Sequence, residues 1–119
     1  LNLFTVTGRV RLVSIIGLVT IQIGAVANAT KLLFEATDIC ASVDINGDVA
    51  GTHYNITGTF ANALVKNGAL VPVAAQATPL TLPAGTLKVN CAGNDGGGGR
   101  VQWTILYVPL SSGASVVAV

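Results

Sequence analysis

Along "FTVTGRVRL", Phe4 to Leu12, Phe4, Val6, Val10 and Leu12 fall on one side of an extended chain and Thr5, Thr7, Arg9 and Arg11 on the other. A repeat of two residues is the repeat of a half-buried strand, and no helix satisfies it. "LVTIQI" repeats the pattern, setting Val19, Ile21 and Ile23 against Thr20 and Gln22. Gly17 is expected to bend the chain between these two strands.

The same period runs through the rest of the chain. "ATKLLFEAT" sets Leu32, Phe34 and Ala36 against Lys31, Leu33 and Glu35, and "GTHYNITGTF" sets Tyr54, Ile56 and Phe60 against His53, Asn55, Thr57 and Thr59. "TLKVNCA" and "RVQWTILYVPL" alternate likewise, and "ATPLTL" makes a short strand before the turn "PAG". Asn67-Gly68 suits a two-residue hairpin turn, because both residues tolerate positive φ. The one helical suggestion is a single turn around Ala61 to Val65. Short strands punctuated by turn signals indicate one all-β domain over residues 1–119, an antiparallel β-sandwich or jelly roll of about eight or nine strands. The long strands near the two ends should lie in its core. Trp103 should be buried in a central strand with Val101 and Ile105 beside it.

Charge is scarce. Only 9% of residues are charged, where roughly a quarter is usual. Polarity comes instead from 12 Thr, 8 Asn, 5 Ser and 3 Gln. The 19 residues from Leu12 to Thr30 carry no charge and are long enough for a membrane span. Residues 67–87 and 101–119 are equally uncharged, however, and contain Pro72, Pro79, Pro83 and Pro109, which break helices. Charge depletion therefore belongs to the whole chain, and neither a membrane span nor a signal segment is expected. A net charge of +1 offers nucleic acid no electrostatic footprint. With no Met in the sequence, Leu1 is expected to have had something before it.

Few residues suggest chemistry. "DINGD" opens like a calcium loop, but its sixth and twelfth positions are Val49 and Asn55, not Gly and a carboxylate. Asp44, Asn46 and Asp48 remain weak candidates for a looser metal site, against the plainer reading of an Asn-Gly turn. "GNDGGGGR" lacks the Gly-Lys-Ser/Thr of a phosphate loop, and a strand follows it. His53 is the only histidine, and no Gly-x-Ser-x-Gly elbow is present. No catalytic residue, cofactor-binding residue or cofactor is expected. Asn28 and Asn55 head Asn-x-Thr sequons, which an Asn- and Thr-rich chain produces by chance. Cys40 and Cys91 are either free thiols or one disulfide closing a loop of about 50 residues.

The segments "LFTVTGRVRL", "ANATKL", "DICASVDINGD", "YNITGTFANALV", "LPAGTLKVNCAG" and "GRVQWTILYVPLSSGASVVAV" together resemble a structural domain of tailed-bacteriophage virions. The resemblance spans nearly the whole chain and supplies no site motif, so no functional residue carries over. It implies a non-enzymatic virion protein, either capsid decoration (cement) or a head-fibre component, forming a homotrimer and contacting other capsid or virion proteins. A fibre-tip or lectin-like receptor-binding domain is the alternative, with the loop from Asn94 to Arg100 as its contact. A secreted β-sandwich hydrolase is the third and weakest reading. Apolar excess also argues for an oligomer, because so small a domain has little interior. Val116, Val117 and Val119, in the uncharged C-terminal "SSGASVVAV", are the interface candidates, since nothing obvious in the chain covers them.

Overall fold

A computed structural model describes residues 1–69, 75–93 and 98–119. Among them there is no helix, and two antiparallel sheets pack face to face. Sheet A has the order β11-β1-β9-β3-β4, from β1 (Asn2–Thr7), β3 (Ala29–Phe34), β4 (Thr37–Asp38), β9 (Gly85–Cys91) and β11 (Ser115–Ala118); β5 (Val43–Asp44) also pairs with β3. Sheet B has the order β10-β2-β6-β7, from β2 (Val10–Ile21), β6 (His53–Asn55), β7 (Val65–Asn67) and β10 (Arg100–Pro109). The short β8 (Leu80–Leu82) joins β2 at Val10 to Leu12. The fold is thus a β-sandwich, as the alternation implied. The eleven strands among the described residues exceed the expected number because β4 and β5 are two-residue pairings that leave no periodic trace.

The alternation from Phe4 to Leu12 is real, but the chain changes sheets inside it. Phe4 and Val6 are buried in sheet A, and Val10 and Leu12 are buried in sheet B. Gly8, with φ +71°, makes the turn between them, a conformation that costs glycine little. Arg9 N–H then donates to Ser111 Oγ at 3.0 Å, and Leu110 N–H to Arg9 O at 2.9 Å, tying the corner to the C-terminal segment.

Gly17 does not bend the chain. It lies within β2 opposite Trp103, and a Cβ there would sit 2.7 Å from the indole ring. The missing side chain makes room for the tryptophan. What does interrupt β2 is a pair of register shifts against β10, between Leu106 and Tyr107 and between Arg100 and Val101. Each extra residue reverses which face the following side chains take. Inward positions consequently run Val10, Leu12, then Ile15 and Val19. Ile21, expected inside, is 47% exposed beyond the second shift.

Two further expectations are corrected. β10 is an edge strand: among the described residues β2 is its one strand partner, and Trp103 is half-buried, as are Val101 and Ile105. Two apolar faces on one strand read alike whether the strand is central or an uncovered edge. Phe60 is exposed, because β6 ends at Asn55 and the chain turns before reaching it. Residues 59–62 close a turn through Asn62 N–H to Thr59 O at 3.0 Å, and no helix forms at Ala61 to Val65. The strand expected after Asn67-Gly68 falls partly on residues 70–74, outside the described residues.

The core is made by both inner faces, with Phe4, Val6, Leu32, Leu87 and Val89 from sheet A meeting Val10, Leu12, Ile15, Val19 and Tyr54 from sheet B. The C-terminal segment is not uncovered: β11 pairs with β1 from Phe4↔Ala118 to Thr7↔Ser115, and Val116 packs against the core. Val117 and Val119 point outward, 60% and 73% exposed.

Replacing Gly17 with Ala should force the Trp103 ring outward. The expected cost is about 1–3 kcal/mol, as for other overpacked sites, with a red shift of tryptophan emission. Unchanged emission and an unchanged urea midpoint would contradict the packing described.

Candidate functional site

Antiparallel pairing collects one end of each sheet around a cavity of about 250 Å³. Sheet A supplies Leu3 from β1, with Leu1 just before that strand, Thr30 from β3, and Val89 and Cys91 from β9. Sheet B supplies Tyr54 from β6 and Val101 and Trp103 from β10. Ile23, Asn28 and Ile45 line it from the connections. The Tyr54 and Trp103 ring centroids lie 6.4 Å apart with the planes tilted by 31°, within the usual range for an aromatic pair.

"DINGD" builds part of this wall as a turn. Asp44 Oδ1 accepts Asn46 N–H at 3.0 Å and Asn28 N–H at 2.9 Å. Asp48 N–H donates to Ile45 O at 3.1 Å, closing the turn. Backbone bonds from Gly47 to Gly24, Ile45 to Asn28 and Ile23 to Asp48 strap it to residues 23–28. Asp48 has both oxygens engaged: Oδ1 pairs with Lys66 Nζ at 3.0 Å, and Oδ2 accepts the Tyr54 hydroxyl at 2.5 Å. Lys66 also donates to Asp44 O at 2.8 Å. These carboxylates face donors, the environment of an anion already satisfied within the protein. Asp44, Asn46 and Asp48 therefore form an Asn-Gly turn, and among the described residues no group of three or more His, Cys, Asp or Glu side chains gathers to hold a metal.

The charges shift accordingly. The Asn28 and Asn46 N–H groups, with Lys66 nearby, hold the Asp44 carboxyl below the usual range. Burial, then the hydrogen bond to Asp48, pushes the Tyr54 phenol far above its ordinary value. Cys40 is buried and its thiol is also raised, chiefly by burial. Cys40 and Cys91 are both free, Cys91 being exposed at the cavity.

His53 is half-buried on β6, and among the described residues its Nδ1 has no hydrogen-bond partner, so none of their Ser or Asp side chains is aligned on that nitrogen. The sequon asparagines are inside: Asn28 Oδ1 accepts Gly93 N–H at 3.1 Å and the Thr30 hydroxyl at 3.3 Å, and Asn55 Oδ1 accepts Asn67 Nδ2–H at 3.0 Å. Of the loop from Asn94 to Arg100, residues 94–97 lie outside the described residues.

Sequence reasoning missed the cavity. Its walls come from seven separated stretches of chain, and only the strand order brings them together. Comparison with family models, curated proteins and solved structures returned no match to this chain.

Tyr54 gives the site a pH signature. The folded phenol keeps its proton where the phenol of an unfolded chain, near pH 10, has lost it. The unfolded state then binds fewer protons, and stability falls as pH rises past about 10. Urea midpoints at about pH 9 and about pH 11 should drop less for Tyr54→Phe than for the unaltered chain. An equal drop in both would show that Tyr54 contributes nothing to the alkaline loss.

Proposed function

We propose that this chain is a non-enzymatic structural subunit that assembles with copies of itself through the outer face of β10 and the edge that, among the described residues, no strand covers. The observation that carries the reading is β10 itself. It runs ten residues, has no charge after Arg100, and exposes Leu106 at 61% and Val108 at 47%, with Leu110 at 48% just beyond. Monomeric β-proteins blunt such edges with charge, bulges or covering loops, because unpaired N–H and C=O groups recruit another strand. Here the two register shifts place their extra residues in β2, and no charged side chain guards the middle of β10. Exposed apolar side chains beside an open edge mark an interface.

The resemblance to tailed-phage virion proteins supplies the setting: a decoration, cement or head-fibre role within the virion, against other capsid proteins. It also supplies the trimer, which would require a head-to-tail contact closing on itself after three copies. One histidine and few acidic groups leave little for acid–base catalysis, which supports the non-enzymatic reading.

Light scattering at micromolar concentration should give a multiple of the 12.0 kDa chain mass, three copies if the virion resemblance holds. Leu106→Lys combined with Val108→Lys should give a monomer with an unchanged β circular-dichroism spectrum. A monomeric unaltered chain would overturn the assembly reading, and a dimer would overturn the trimer alone.

A further inference from the structure

We propose that the inter-sheet cavity is a binding site for a small, uncharged, apolar molecule, an aromatic or alicyclic compound of about ten heavy atoms, taking as scale that about 150 Å³ of apolar cavity holds benzene. The site is distinct from the outer face of β10 and does not depend on assembly.

Three observations converge. The cavity is about 250 Å³, far more than packing irregularities leave in a close-packed core. Its walls are mostly apolar, with Leu1, Leu3, Ile23, Ile45, Val89 and Val101 around the Tyr54–Trp103 pair. The oxygens that face it are already used: Asn28 Oδ1 by Gly93 and Thr30, and the Tyr54 hydroxyl by Asp48. A guest that needed hydrogen bonds at these oxygens would have to break existing ones, whereas an apolar guest gains by leaving water. Of the other polar neighbours, the Thr30 hydroxyl donates to Asn28, and the Cys91 thiol makes few hydrogen-bonding demands and is polarisable, which suits an aromatic face.

The geometry also gives access and selectivity. Trp103 is half-buried on an edge strand, so one side of the cavity borders solvent. Gly17 beneath the indole sets its plane, since any larger residue would displace it. A cationic guest is disfavoured because its ionic group would lose hydration against apolar walls, and no carboxylate side chain is among the lining residues.

Naphthalene is the probe, followed through the indole N–H resonance of the only tryptophan in ¹⁵N-labelled protein. The expected result is a saturable shift of that resonance and a raised melting temperature. Val101→Phe and Cys91→Phe, which fill the cavity from opposite sheets, should each weaken binding by roughly tenfold or more, as should replacing the probe by the cationic 1-naphthylmethylammonium. Leu106→Lys, on the outer face, should leave binding unchanged. The proposal is overturned if the indole resonance does not move up to the solubility limit of naphthalene, if the ammonium probe binds equally well, or if a folded cavity-filled variant binds as before. Loss of binding in Leu106→Lys would overturn it too, placing the probe on the outer face.

Discussion

The fold rests on sealing two apolar faces against each other, and that seal depends on where the chain leaves one sheet for the other. The crossing occurs at Gly8, between two buried pairs, Phe4–Val6 and Val10–Leu12. A β-branched residue there would be forced into a conformation it strongly disfavours. Once across, β2 becomes the backbone of sheet B: β10 lies along one edge, and β6 and β8 share the other. With few charges available, solvent-facing positions rely on Thr, Asn and Ser, and backbone pairing carries most of the directional bonding.

How far the sequence could be read follows from the range of each signal. Period-two alternation is local, so β1, β3, β9 and β10 were visible, and so was the all-β class. Strand order is not local. Nothing in "RVQWTILYVPL" distinguishes an edge from a centre, so the half-burial of Trp103 is not legible there. Gly17 and Gly8 look alike in sequence; one accommodates an indole and the other turns a corner, and only cross-strand neighbours separate the two roles. Ile21 was misassigned because a bulge changes the phase of a strand without changing its composition.

The site shows the same limit. "DINGD" was legible as a turn, because Asx and glycine chemistry acts within a few residues. Its partners were not: Tyr54 and Lys66 reach Asp48 from strands further along the chain. The cavity has no sequence signature at all, since its lining alternates with the same apolar residues that build the core. Cys40 and Cys91 looked equivalent in their surroundings, yet one is sealed inside and the other lies at the mouth.

The pairing of β1 with β11 and of β2 with β10 sets the order of events during synthesis. Phe4 pairs with Ala118 and Val10 with Pro109, so β1 and β2 stay without these neighbours until Pro109 and Ala118 have left the ribosome. Such non-local closure slows folding and leaves edges open to other nascent chains in the meantime. A chain whose synthesis stopped before Ser115 would lack β11 and leave one side of β1 unpaired. Protein quality control would meet that product as a sticky, half-closed sandwich.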